Sequence, residues 1–312
     1  MDFALSEESQ ALYDMALSFG QDRIAPHAAE WEHEGSIPRD LLREVGALGL
    51  GAIYCSEEHG GSELSRLDAT LIFEALAQAC PSVSAFISIH NMCAKMIDTF
   101  ASDEMRAEWI PQLATFDKVA SYCLTEPGSG SDASALKTKA EKTNEGYALT
   151  GNKAFISGGG FSDVYLVMCR TGDAGPKGIS CVLVEDGAQG LSFGAQEKKM
   201  GWKAQPTAQV QFDGCAIPAK NLLGEEGRGF VYAMNGLDGG RLNISASALG
   251  GAQAALSKAV AYMGERKAFG QPLDQFQALQ FRLADMEIEL QAARTFLRQA
   301  AWKLDQGAPD AT

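Results

Sequence analysis

Tyr122-Cys-Leu-Thr-Glu-Pro-Gly-Ser-Gly-Ser-Asp132 divides the chain, with helical spacing before it and two-residue spacing after it. The stretch starts as a strand, with Tyr122, Leu124 and the polar Thr125, and breaks at Pro127-Gly128 into a Gly/Ser loop. Glycines at 128 and 130 remove two side chains and permit backbone conformations closed to other residues. Their amides, with the hydroxyls of Ser129 and Ser131, can cradle a phosphate or the polar edge of a cofactor. No Gly-Lys-Ser/Thr follows, so this is not a Walker loop, and it does not open a βαβ unit of the GxGxxG kind. On residue types alone, a surface turn is the simpler reading.

Working outward, residues 1–118 read as a helical domain. Ser6 before Glu7 and Glu8 predicts an N-cap, opening a helix with Leu12, Met15, Ala16 and Phe19 on one face. Pro38 suits a first helical turn and Gly49 ends that helix. A strongly apolar helix is expected over 67–79, stopped by Pro81, and a nearly uncharged one over 83–100. Ser102 caps another, which Pro111 is expected to interrupt or end. Residues 119–230 switch to short alternating strands separated by turn signals, predicting an antiparallel barrel or sandwich. Residues 231–312 return to helix: one from about Gly240 to Arg266, rich in Ala and Gly and so able to approach a neighbour closely. A second starts near Phe276. The fold class is therefore α+β multidomain: all-α, then β, then an incomplete helical bundle. Two long helices do not close a bundle core, so partner helices are expected from outside this sequence or from another subunit.

Composition bounds the function. The 312 residues are 46% hydrophobic and carry a net charge of −14, which disfavours nucleic acid and anionic membrane as bulk electrostatic partners. Seven cysteines occur singly, as expected for buried thiols in a reducing compartment, and four histidines share no ligand spacing, so no metal is assigned. No apolar run reaches membrane-spanning length. The N-terminus shows neither a signal peptide nor an Arg-rich transit sequence, which suggests a soluble protein of a bacterial cytoplasm or, as a mature form, a mitochondrial matrix.

The opening string resembles the signature of the acyl-CoA dehydrogenase family, flavoenzymes that desaturate acyl-CoA thioesters. Phe155-Ile-Ser157, Lys199-Met-Gly-Trp202, Leu223-Gly-Glu-Glu-Gly-Arg-Gly-Phe230 and Glu265-Arg-Lys-Ala-Phe-Gly270 also resemble it, in order, so the similarity spans the chain. The resemblance implies FAD as cofactor. It implies that Tyr122, Leu124 and Thr125 line the flavin, that Gly130 and Ser131 belong to the cradle, and that Ser131 bonds both flavin phosphate and the CoA chain. Phe155 stands where many relatives place Trp, against the ring system, with Ile156 beside it and Ser157 near flavin N5; from residue type alone Phe155 reads as barrel core. Asp238, Gly239, Gly240 and Arg241 match the family's CoA-binding position, although Asp238 and Arg241 also suit an i,i+3 ion pair. Arg266 resembles the arginine that reaches the flavin diphosphate of a neighbouring subunit, near Phe269, Phe276 and Gln277, which makes a homotetramer or dimer part of the site. By position alone Arg266 complements a helix dipole.

Within the family, Ile72-Phe-Glu-Ala-Leu-Ala-Gln-Ala-Cys80 and Phe86-Ile-Ser-Ile-His-Asn-Met-Cys93 look most like members acting on short branched thioesters. The implied reaction is isobutyryl-CoA to methacrylyl-CoA, a step of valine degradation, with butyryl- or 2-methylbutyryl-CoA as alternatives and electron-transferring flavoprotein as acceptor. No catalytic base is assigned. In most of the family it is a Glu late in the helical domain, expected beyond Thr312; in some relatives it precedes the arginine matching Arg241, where this chain has Gly240. Glu126 and Asp132 read as structural. A non-catalytic flavin- or acyl-CoA-binding fragment is therefore the rival expectation.

Overall fold

The structure, a computed structural model, describes residues 4–308. Helices α1 (Glu7–Phe19), α2 (Ala28–Glu34), α3 (Arg39–Ala47), α4 (Arg66–Ala79), α5 (Pro81–Phe100) and α6 (Asp103–Ala114) come first. Strands β1 (Ala120–Cys123), β2 (Lys139–Lys142), β3 (Gly146–Ser157), β4 (Val164–Arg170), β5 (Ile179–Glu185), β6 (Leu191–Phe193), β7 (Thr207–Pro218) and β8 (Leu222–Leu223) follow. Helix α7 (Gly229–Glu265), a small hairpin of β9 (Lys267–Ala268) and β10 (Gln271–Pro272), and helix α8 (Gln277–Asp305) complete the order. It is the α, β, α succession expected from the sequence.

The caps explain the helix starts. Ser6 accepts from Ser9 N and Ser102 from Met105 N, while Ser65 and Asp68 form a capping box at the head of α4. Pro81 does more than stop α4: it opens α5, where its missing N–H has no helical partner to lose. Pro111 differs from expectation, because α6 runs through it to Ala114. Burial of Met105, Trp109, Ile110 and Leu113 in one apolar cluster outweighs the lost backbone bond. Helix α7 starts at Gly229, eleven residues before the expected Gly240.

The chain forms two compact units. One contains α1, α4, Pro81–Ala85 and the chain from Arg241 onward. There, α1 meets α4 through Ser9 Oγ to Asp68 (2.6 Å) and Gln78 Nε2 to the Tyr13 hydroxyl (2.7 Å). A Cβ at Gly250 would run into the backbone of Glu74, so glycine is what lets α7 lie this close to α4. Arg294 of α8 donates to Glu74 at 2.7 Å and to Gln253 at 2.8 Å, a buried charge satisfied on both sides. The carboxylate of Asp305, at the end of α8, caps α4 by accepting Arg66 N and Leu67 N at 2.7 and 3.1 Å.

The other unit, residues 30–64 and 86–240, contains the sheet. Its strands run β6-β7-β3-β2-β4-β5-β8, with β1 added against β4. Most pairs are antiparallel as expected, but β1 and one residue pair of β2 join β4 in parallel. β1 enters from helix α6 and reaches β4 only after β2 and β3 intervene, the long connection that parallel pairing needs. At β4 and β5 both faces are buried. Val164, Leu166 and Met168 of β4 pack with the helical cluster, while Tyr165, Val167 and Cys169 pack among strands, so period two sends each set to its own layer. His90 fixes the entry to β1: its Nδ1 accepts Ala120 N at 3.1 Å, its Nε2–H donates to Leu113 O at 3.0 Å, and its ring stacks on Phe116. Burial pulls the imidazole down to about 4, so it stays neutral.

Candidate functional site

The loop after β1 is organised by two residues of β3. Lys153, fully buried, donates from Nζ to Leu124 O at 3.0 Å and to Glu126 Oε1 at 2.8 Å. Ala154 N then donates to Thr125 O at 2.9 Å. Glu126 also accepts Lys137 N and Thr138 N at 2.7 and 2.9 Å. Burial alone would raise this carboxyl, but the Lys153 charge and the bonds from Lys153, Thr138 and Lys137 outweigh it and hold it below its ordinary range. Glu126 is thus a committed carboxylate, matching its structural reading. Glu126 and Ser129 exchange backbone bonds at 2.9 and 3.1 Å, which closes the Pro127-Gly128 turn.

The glycines act otherwise than expected. Neither Gly128 nor Gly130 has a positive φ, and a Cβ at either would meet nothing within 4 Å. What they contribute is open backbone. Among the described residues, no acceptor meets the N–H groups of Thr125, Gly130 and Ser131 or the hydroxyls of Thr125 and Ser131. Ser131 is exposed, with Thr125 half-buried. A donor-rich, uncluttered backbone of this kind fits the oxygens of a flavin ring edge and a phosphate.

Phe155 is not core. β3 slips register against β7 between Lys153 and Ile156, and Phe155 sits in that bulge with φ +57° and 67% exposure. A bulge re-aims one side chain without ending the strand, and here it carries an aromatic ring out of the sheet. Ile156 turns back into the strand cluster, so only its main chain is available to a ligand. The hydroxyl of Ser157 accepts from Gln205 Nε2, and its carbonyl from the Ser121 hydroxyl. Tyr122 is half-buried, with its hydroxyl 3.3 Å from Ala233 O in α7. Leu124 is buried, its side chain joining the helical cluster. Asp238, Gly239 and Gly240 lie on α7, where a Cβ at Gly240 would meet Met92 Sδ at 3.1 Å.

In the helical unit, Arg241 is exposed at the start of the α7 portion, and Arg266, Phe269, Phe276 and Gln277 gather around the β9–β10 hairpin. Phe269 is 96% exposed at φ +51° and meets Phe276 edge-on with centroids 6.3 Å apart. Here too lies an open groove of about 1020 Å³ between α7 and α8, lined by Leu249, Leu256, Met286, Leu290, Phe296 and Leu297 among others.

All seven cysteines are buried, and burial pushes the thiols of Cys123 and Cys169 up to about 12, so neither is a nucleophile. Sequence reasoning missed Lys153 and Gln205 as contributors. The signal for Lys153 was a lone charge inside an otherwise uncharged strand; Gln205, in a loop, gave none.

Family models describing the acyl-CoA dehydrogenase N-terminal, middle and C-terminal domains match residues 6–117, 121–215 and 227–312. This chain belongs to the acyl-CoA dehydrogenase family. It is 54% identical over 98% of its length to the mitochondrial isobutyryl-CoA dehydrogenase of Dictyostelium discoideum, covering 74% of that protein. To the Bos taurus isobutyryl-CoA dehydrogenase it is 52% identical over 98% of its length, again covering 74%. Among solved structures, butyryl-CoA dehydrogenase from Megasphaera elsdenii superposes with a TM-score of 0.96 at 38% identity, over 100% of this chain and 83% of that one. The FAD complex of PigA superposes at 0.94 with 30% identity, over 100% and 82%. No helix among the described residues is long and apolar enough to cross a membrane.

Proposed function

We propose that this chain binds FAD on the Tyr122–Ser131 loop and the Phe155–Ser157 bulge and desaturates a short branched acyl-CoA, isobutyryl-CoA by preference. The observation that carries the reading is the pairing of donor groups left without acceptors in the loop with an aromatic ring lifted out of β3 beside it. Identities of 54% and 52% to two proteins named isobutyryl-CoA dehydrogenase support the substrate, and the PigA complex supports the cofactor. FAD, when bound, accepts the β-hydrogen as hydride. The chain's own part is to orient. Thr125 and Ser157 present hydroxyls to the ring edge, Phe155 packs on the ring, and Ser131 bonds phosphate. Asp238, Gly239, Gly240 and Arg241 meet the CoA portion.

Arg266, Phe269, Phe276 and Gln277 belong, in this reading, to the cofactor site of a second copy, in a homotetramer or dimer. The strongly exposed Phe269 and the apolar α7–α8 groove support assembly; sedimentation velocity tests it. Domains at 1–118, 119–230 and 231–312 follow the same division of labour. Electrons would pass to electron-transferring flavoprotein, in a bacterial cytoplasm or mitochondrial matrix.

A second reading, flavin binding without turnover, is favoured by one feature: neither the loop carboxylate Glu126 nor position 240 on α7 offers a proton acceptor. Glu126 is held by Lys153, and Gly240 has no side chain. Turnover on isobutyryl-, butyryl- and 2-methylbutyryl-CoA separates the possibilities. Preference for isobutyryl-CoA supports the proposal, equal rates sink the substrate assignment, and bound flavin with no turnover establishes the second reading.

A further inference from the structure

Lys153 is an ammonium in β3 with no access to water. Such a charge is costly to bury, and it persists where pairing and hydrogen bonds compensate. Both of its bonds go to one segment: the carbonyl of Leu124 and the carboxylate of Glu126. Several of the segment's other carbonyls are bonded as well. Thr125 O takes Ala154 N, Glu126 O takes Ser129 N, Ser129 O takes Glu126 N, and Asp132 O takes the Ser129 hydroxyl at 2.6 Å. Beside the anchor, the acceptors of Leu124, Thr125 and Glu126 are used inside the chain, while the donors of Thr125, Gly130 and Ser131 are not. Lys153 also immediately precedes the bulge that lifts Phe155, so one anchor holds both halves of the site.

We propose that the Lys153–Glu126 pair is a positioning device for the cofactor site, fixing the loop so that it presents donors to an acceptor-rich ligand edge: the carbonyl oxygens of a flavin ring and a phosphate. Neither residue touches the ligand; both act through the Leu124–Ser131 backbone. The inference rests on the flavin reading above and adds to it the residues that hold the loop's donors in place.

The test is FAD titration of flavin-stripped protein for wild type, Lys153→Met and the double variant Glu126→Gln/Lys153→Met. Fluorescence quenching is read for affinity, and the visible band and reduction potential are read at saturating FAD. The single variant strands a carboxylate in the core and loses stability, so the double variant, which leaves no unpaired charge, is the decisive one. It should keep a urea midpoint near wild type yet bind FAD about tenfold or more weakly, because a preorganised loop has been released. At saturation its visible band and reduction potential should differ from wild type, since the donors to the ring edge have moved. Wild-type affinity, band and potential in the double variant would overturn the proposal and leave the pair a purely structural one. A potential equal to wild type at saturation, in whichever variant folds, would overturn it equally. Wild-type protein that fails to take up FAD at all would instead overturn the flavin reading.

Discussion

Around the Tyr122–Asp132 loop, polar groups of the chain answer one another at close range, whereas along α7 and α8 a large apolar surface is left facing a groove. In the first region, Lys153, Glu126, Lys137 and Thr138 close a network with distances of 2.7–3.0 Å. In the second, Phe296 is 74% exposed and the groove between the helices measures about 1020 Å³. Hydrogen bonds are short-ranged and directional, so a few residues can complete them. Apolar burial needs area, and two helices supply too little of it to cover each other. One region should therefore behave as a finished structure, and the other as a surface that responds to concentration and company.

Mutation sharpens the contrast. Lys153→Met strands the Glu126 carboxylate and should cost about 3–5 kcal/mol in urea unfolding. A loss below about 1 kcal/mol would mean the network is not the anchor described. Within the helical unit, Arg294→Met leaves the buried Glu74 with only the more distant Arg298, at 4.0 Å, and should cost somewhat less, about 3 kcal/mol at most. Scanning calorimetry of both variants places the two networks on one scale.

Acid gives the next largest effect. His90 sits at about 4 when folded, below its ordinary 6.5, because burial disfavours the charged ring. Above pH 6.5 both states are neutral and the difference has no consequence. As pH falls from 6.5 toward 4 the unfolded chain binds a proton the folded one refuses, so stability drops by roughly 3 kcal/mol in all and levels off below pH 4. Unfolding curves at pH 7.5 and pH 4.5 measure it, and His90→Gln should remove this component.

Exposed aromatics come last for stability. Phe155→Ser and Phe296→Gln should each change unfolding free energy by no more than about 0.5 kcal/mol. They should differ in everything else: the first weakens FAD binding, and the second reduces concentration-dependent association in sedimentation velocity. Exchanged phenotypes would break the comparison between the regions.

Much of this was legible in the chain. The serine caps at 6 and 102, the change of period at residue 119 and the close-packing glycines of α7 follow from local chemistry. The rest depended on contacts between distant residues. Pro111 is carried through by the burial of its neighbours, and the start of α7 at Gly229 is hidden by glycines that lower helix propensity. Phe155 reads as core because its residue type says so; the bulge that exposes it is a register shift against β7, some fifty residues on. Gly128 and Gly130 suggest unusual backbone angles, yet their use is clearance. Lys153 lies 27 residues from Glu126, so spacing could not pair them.

The most direct measurement is the visible absorption spectrum of the purified protein, before and after anaerobic addition of isobutyryl-CoA. The account predicts a bound flavin band; bleaching by the thioester would establish turnover, and a band that persists would mark an intact cofactor cradle without its proton acceptor. A protein that stays colourless after incubation with FAD would contradict the account, because the donor-lined loop and the lifted Phe155 would then hold no flavin.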